Sequence, residues 1–165
     1  MNRRSFIGAT AATLVTATTI ARSAFAGGAD TLRIGLVGCG GRGTGAALQA
    51  LAVDEGTVLY AMADVFMDRL ESSRQGLVKN SAEGRVDVPD ERCFDGFDGY
   101  KHVIDQCDVI LLATTPAFRP QHLRYAVEKG RHVFCEKPIA VDSAGLRSVL
   151  ETVRMSEEKD LCLAH

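Results

Sequence analysis

Six residues near the start of the chain, Gly38-Cys39-Gly40-Gly41-Arg42-Gly43, have the types and spacing to hold a phosphate. Each glycine has its own reason. Gly38 permits a tight strand-to-helix turn, Gly40 lets the backbone approach a ligand, and Gly43 lets a helix lie close to a strand. The start of that helix offers N–H groups and a partial positive charge, both of which suit a pyrophosphate. The context fits on both sides, because the apolar run Ile34-Gly35-Leu36-Val37 leads into the glycines and a helical pattern leaves them. A second apolar run, Thr57 to Ala63, ends at Asp64, about twenty residues past the last glycine. A carboxylate there can accept hydrogen bonds from the 2′-hydroxyl of an adenosine ribose. Together these features describe a dinucleotide site.

Two further clusters stand at the ends of later strands. Thr114-Thr115-Pro116 breaks the apolar run Asp108 to Ala113, and Glu136-Lys137-Pro138 follows the run His132 to Cys135. On its own, Glu136-Lys137 reads more readily as an ordinary exposed pair at a strand end, with Pro138 simply ending the strand. Arg42 either bonds a phosphate or stands solvated in the first helical turn. His122 either faces the cleft or is a partly buried helix histidine. His102 and His132 read as structural, and no His/Asp/Glu spacing suggests a metal.

The elements that must position these residues alternate. Strands are expected at Leu32 to Val37, Thr57 to Ala63, Arg92 to Phe94, Asp108 to Ala113, His132 to Cys135 and Leu161 to His165. Helices are expected near Gly43 to Val53, Met67 to Lys79, Tyr100 to Gln106, Arg119 to Lys129 and Asp142 to Met155, with a polar loop at Asn80 to Glu91. The run Asp108 to Ala113 is continuously apolar, as a strand covered on both faces should be. Alternation of this kind predicts an α/β fold, a Rossmann-type doubly wound parallel sheet in three αβα layers. Ligands in such sheets bind beyond the carboxyl ends of the strands, at the switch point between the first strand and the fourth. The glycine loop, Asp64, Thr114–Pro116 and Glu136–Pro138 all fall on that edge.

The first residues read differently. Arg3-Arg4-Ser5-Phe6-Ile7 opens a basic stretch, a mild Ala/Thr-rich run follows, and Ala24-Phe25-Ala26 offers a cleavage site. Residues 1–26 are therefore expected to be a twin-arginine signal peptide, outside the fold, with residues 27–165 as one domain. The run is shorter than the ~20 apolar residues a membrane span needs. Export places the protein in the periplasm or beyond, with the twin-arginine machinery as a partner. An exported nicotinamide enzyme must then hold its cofactor tightly or recharge it with a second substrate.

The formal charge of −2 includes three arginines of that leader, and no basic patch suggests nucleic acid. Five cysteines, an odd number without C-x-x-C spacing, argue against a disulfide framework and a zinc site. Cys135 and Cys162 are expected inside strands as small apolar residues, and Cys39 to be partly accessible in the glycine loop.

From Leu32 to His165 the chain resembles the N-terminal half of the Gfo/Idh/MocA oxidoreductase family, which includes glucose–fructose oxidoreductase and inositol dehydrogenase. The resemblance rests on the glycine loop, on Thr114-Thr115-Pro116 with His122, and on Gly130-Arg131-His132-Val133-Phe134-Cys135-Glu136-Lys137-Pro138. The last string is the most specific. The resemblance implies that Gly38, Gly40, Gly41, Arg42 and Gly43 hold the pyrophosphate. It implies that Asp64 favours NAD over NADP, that Thr114, Thr115 and Pro116 lie along the nicotinamide ribose, and that Glu136 is near that ribose and the ring. Lys137 would reach the substrate hydroxyl and stabilise or relay its proton while hydride leaves carbon. The expected substrate is a sugar or polyol.

Family members continue into a second domain that supplies the substrate pocket and usually the oligomer interface, so a homo-oligomer is an expectation for a full-length protein. That C-terminal domain is absent from this sequence. The expectation is therefore the cofactor half of an exported oxidoreductase. The alternatives are a non-catalytic nucleotide-binding fragment or pseudo-enzyme, or a relative that cleaves glycosides with recycled NAD.

Overall fold

The computed structural model describes residues 31–165, so the expected leader lies outside the described residues. The chain runs β1 (Leu32–Val37), α1 (Gly41–Val53), β2 (Thr57–Ala63), α2 (Met67–Asn80), a single 3₁₀ turn (Asp90–Arg92) and β3 (Cys93–Phe94). It continues with α3 (Gly99–Gln106), β4 (Val109–Leu112), α4 (Arg119–Glu128), β5 (His132–Cys135), α5 (Ser143–Glu158) and β6 (Leu163–Ala164). The strands form one parallel sheet in the order β3-β2-β1-β4-β5-β6. The order reverses between β1 and β4, and a crevice must open there at the carboxyl ends.

Two apolar clusters fill the spaces above and below the sheet. Leu36, Leu59 and Met62 meet Ala47 and Leu51 of α1 and Leu70 and Leu77 of α2 on one face. Val37, Ile110, Leu112 and Val133 meet Val103 and Ile104 of α3, Leu123 and Ala126 of α4 and Val149 of α5 on the other. Leu111 joins the first cluster while Ile110 and Leu112 join the second, so β4 buries both of its faces, as its continuous apolar run predicts.

Local chemistry sets the helix ends. Asp142 caps α5 by accepting the N–H of Gly145 at 2.6 Å. Pro120 stands in the first turn of α4, where its missing N–H is no loss. Gly130, at φ 72°, closes α4 with Arg131 N–H on Ala126 C=O at 3.0 Å.

Three expectations need correction. Helix α1 starts at Gly41, not Gly43, because Gly40 takes the cap position and Thr44 N–H already bonds its carbonyl at 2.9 Å. The last strand is only Leu163–Ala164, and Cys162 lies outside it, exposed. The end of α5 delays it: Leu161 N–H folds back onto Ser156 C=O at 2.9 Å, and Asp160 takes φ 55°. The segment 80–91 is more than a polar loop. Leu59 exchanges backbone bonds with Arg85 and Asp87 at 2.9 Å, and Val88 is buried against β2.

Candidate dinucleotide site

The turn from β1 into α1 is shaped by contacts that leave no room for side chains. Gly38 has φ 97°, and a Cβ there would lie 2.7 Å from the Ala113 carbonyl carbon and the Thr114 nitrogen. At Gly43 a Cβ would sit 1.9 Å from the Gly38 carbonyl oxygen. These two glycines let β1, α1 and the end of β4 converge. Gly40 and Gly41 are different, since a Cβ at either would meet nothing within 4 Å. Their smallness opens space that the protein itself does not fill. The first N–H groups of α1 have no acceptor inside the helix, and no acidic residue stands in its first turn. That is a cradle for a pyrophosphate.

Asp64 follows β2 on the same edge, and its residue surface is only 9% exposed. One carboxylate oxygen accepts the Cys39 N–H at 2.7 Å and the other accepts the Phe66 N–H at 3.1 Å. The Arg69 guanidinium comes within 3.9 Å. Held in this way, the carboxylate keeps lone pairs for a ligand hydroxyl. It borders a groove of about 380 Å³ together with Gly38, Gly40, Thr114, Thr115 and His122. Phe66, Phe97, Phe118 and Tyr100 supply the apolar wall of the groove. Gly40, Gly41 and Thr44 border a second cleft, on the outer side of α1 and α2.

The far side of the groove rests on α4. His122 is buried, stacks on Tyr100 with ring centroids 4.0 Å apart, and places Nδ1 3.3 Å from the Thr114 hydroxyl. Burial pushes its imidazole down to about 4, so it is neutral at physiological pH. Both readings of this histidine hold: it is buried in the helix, and it also borders the groove.

The remaining expected residues lie off the groove wall. Pro116 stands just past it, half-buried. Glu136 is buried beyond β5, and its carboxylate accepts Arg42 Nε at 2.7 Å, with Nη2 at 2.6 Å. That guanidinium holds the Glu136 carboxyl below the usual carboxylate range. Arg42 is thus engaged by Glu136, which neither sequence reading of it anticipated. Lys137 is exposed and takes part in none of the ion pairs among the described residues.

Arg119 is the residue that sequence reasoning missed. It opens α4, is buried, and donates Nε to the Thr114 carbonyl at 2.7 Å and Nη1 to the Glu136 carbonyl at 2.6 Å and to the Pro138 carbonyl. The available signal was an arginine directly before a helix-starting proline, which reads as a solvated first-turn residue.

The cysteines refine the picture. Cys39 is buried, not accessible, and its thiol points at the Ala63 carbonyl at 3.4 Å. Burial pushes the thiols of Cys107 and Cys135 up to about 12 and about 11. Among the described residues no group of His, Cys, Asp and Glu is gathered to hold a metal ion.

A parallel sheet, an open glycine cradle at a helix N-terminus and an amide-held carboxylate beside it define a dinucleotide-binding domain of the Rossmann class. The chain belongs to the GFO_IDH_MocA oxidoreductase family, with NAD-binding Rossmann fold, which residues 32–164 match. It is 28% identical over 121 residues to inositol 2-dehydrogenase of Cereibacter sphaeroides, covering 73% of this chain and 32% of that protein. It is 27% identical over 126 residues to a glycosyl hydrolase family 109 protein of Porphyromonas gingivalis, covering 74% and 25%. The chain thus spans about a quarter to a third of the length of these curated relatives. Among solved structures, a probable dehydrogenase of Thermotoga maritima superposes with a TM-score of 0.59 at 25% identity, over 80% of this chain and 35% of that one. The myo-inositol 2-dehydrogenase of Lactobacillus plantarum gives a TM-score of 0.63 at 23% identity over 81% and 35%, which speaks to the fold alone.

Proposed function

We propose that the chain is the cofactor half of an NAD-dependent oxidoreductase that moves hydride between nicotinamide and a CH–OH carbon of a sugar or polyol. The observation that carries this reading is the open cradle at Gly40 and Gly41 beside the amide-held carboxylate of Asp64. The backbone N–H groups of Gly41, Arg42 and Gly43 bind the pyrophosphate. Asp64 accepts the adenosine ribose hydroxyls and repels a 2′-phosphate. Thr114, Thr115 and Pro116 follow the nicotinamide ribose toward Glu136. The bound nicotinamide supplies the hydride acceptor or donor. Lys137, exposed and in none of the ion pairs among the described residues, holds or passes the substrate hydroxyl proton. The dehydrogenases and glycosyl hydrolases among the relatives support two chemistries on one cofactor site, hydride exchange as the outcome or as a transient step. The dehydrogenase reading is preferred here because Lys137 stands ready for a hydroxyl proton.

Calorimetry on the chain with NAD and NADP tests the cofactor reading. NAD should bind at least about tenfold more tightly. Asp64→Ser should weaken NAD and strengthen NADP. Equal affinities in both proteins would remove Asp64 from the site. Export belongs to the same reading and rests on residues 1–26 alone. Replacing Arg3 and Arg4 by lysines should leave the protein in the cytoplasmic fraction of expressing cells, and an unchanged periplasmic yield would refute it.

A further inference from the structure

We infer that Arg119 is a positioning residue for Lys137 and the nicotinamide side of the cleft, an assignment that rests on the cofactor function proposed above. Its guanidinium bonds the carbonyls on either side of Lys137, those of Glu136 and Pro138, and with Nε it bonds the Thr114 carbonyl. One planar group therefore ties the turn after β4 to the strap after β5, the two segments that flank the proposed nicotinamide ribose. Its hydrogen-bond partners are all backbone oxygens, so the arginine fixes main-chain positions, and its charge adds to that of Arg42 in holding the Glu136 carboxyl low. The placement is also unusual on electrostatic grounds. A buried cation at the start of α4 opposes the helix dipole, and three backbone carbonyls together with the nearby Glu136 carboxylate compensate it. Lys137 itself is exposed. What the protein controls is where its side chain begins, and Arg119 clamps the backbone immediately before and after it.

The test separates the two halves of the cofactor. ADP reaches the glycine cradle and Asp64 but lacks the nicotinamide nucleoside. Arg119→Lys keeps the charge, yet a compact ammonium does not reproduce a planar fork spanning three carbonyls. In calorimetry with the whole chain, the variant should bind ADP within about twofold of wild type and bind NAD about tenfold or more weakly. Unchanged NAD affinity would overturn the assignment and leave the cofactor function standing. A parallel loss of ADP and NAD would overturn it as well, reducing Arg119 to a general fold contact. Wild-type protein that binds neither ligand would remove the cofactor function, and this assignment with it. Hydrogen exchange on wild-type protein gives a check that does not depend on the variant folding. NAD should protect amides in 114–119 and 136–140 beyond the protection given by ADP, and equal protection would refute the assignment.

Discussion

On the β1–β2 side of the carboxyl edge, backbone sets the geometry. Gly38 and Gly43 fix how closely strand and helix approach, and the amides of Cys39 and Phe66 aim the Asp64 carboxylate. On the β4–β5 side, guanidinium groups do the equivalent work. Arg119 gathers three carbonyls, and Arg42 reaches across to the Glu136 carboxylate. The first side is set by close backbone approaches and by amides that hold one short side chain. The second is held by long side chains whose bonds can be traded. On the function proposed above, a site built in this way would bind the invariant half of a dinucleotide largely on main chain and leave the reactive half to side-chain ties.

The largest effect should come from breaking the first side. Gly43→Ala drives a Cβ into the Gly38 carbonyl, where backbone meets backbone and neither can yield. We expect a loss of about 3 kcal/mol or more in urea unfolding, and wild-type stability would disprove the contact. The second side carries a pH response of similar size. Unfolded His122 takes up a proton near 6.5, whereas the folded ring resists until about 4. Its stabilising contribution is complete above the unfolded value and lost as pH falls toward the folded one, a difference on the order of 3 kcal/mol. His122→Leu should flatten that part of the profile, and superimposable pH profiles would mean that the imidazole is not desolvated.

Next comes the contrast inside the glycine loop itself. Gly40→Val meets open space in the protein, so its stability penalty, that of a poor helix cap, should not exceed about 1 kcal/mol. Its NAD affinity should nonetheless fall by at least about tenfold in calorimetry. Retained affinity would show that the space at Gly40 belongs to solvent and not to pyrophosphate. The smallest effect should come from Arg42→Ala, which cuts the tie between the two sides. The Glu136 carboxyl is held low by this partner, so its stabilising contribution is present at neutral pH and lost as pH falls through the depressed folded value. In the variant Glu136 should titrate at higher pH by ¹³C NMR with little change in stability, because Arg42 is largely exposed. An unmoved titration would place the carboxylate's stabilisation elsewhere.

Much of the fold was legible because its signals are local. The runs Leu32–Val37, Thr57–Ala63 and His132–Cys135 become strands with those bounds, and the glycines and Asp64 meet where their spacing implies. What was not legible depends on contacts distant in sequence. Arg119 looks like an ordinary helix-start residue, and Arg42 like a phosphate ligand or a solvated first-turn residue, until β5 delivers the Glu136–Pro138 strap to them. Residues 85–88 read as polar until Leu59 supplies a neighbouring backbone. Cys162 reads as apolar strand, yet it stands exposed just before β6, its carbonyl on the Val133 N–H at 2.9 Å but its amide spent on His132 Nδ1 at 3.0 Å. In each case the local pattern was sound, and a long-range partner changed its meaning.

The burial of Cys39 has a consequence for durability under oxidation. A sulfur in the middle of a phosphate loop would ordinarily be its most vulnerable atom, since sulfenic acid or a mixed disulfide there would block the approach to Gly40. Here the thiol is buried against the Ala63 carbonyl and kept protonated by its surroundings, whereas it is the thiolate that attacks peroxide. Oxidants would meet the exposed Cys162 first, at the opposite edge of the sheet. The sulfur inside the cofactor cradle is thereby kept from that damage.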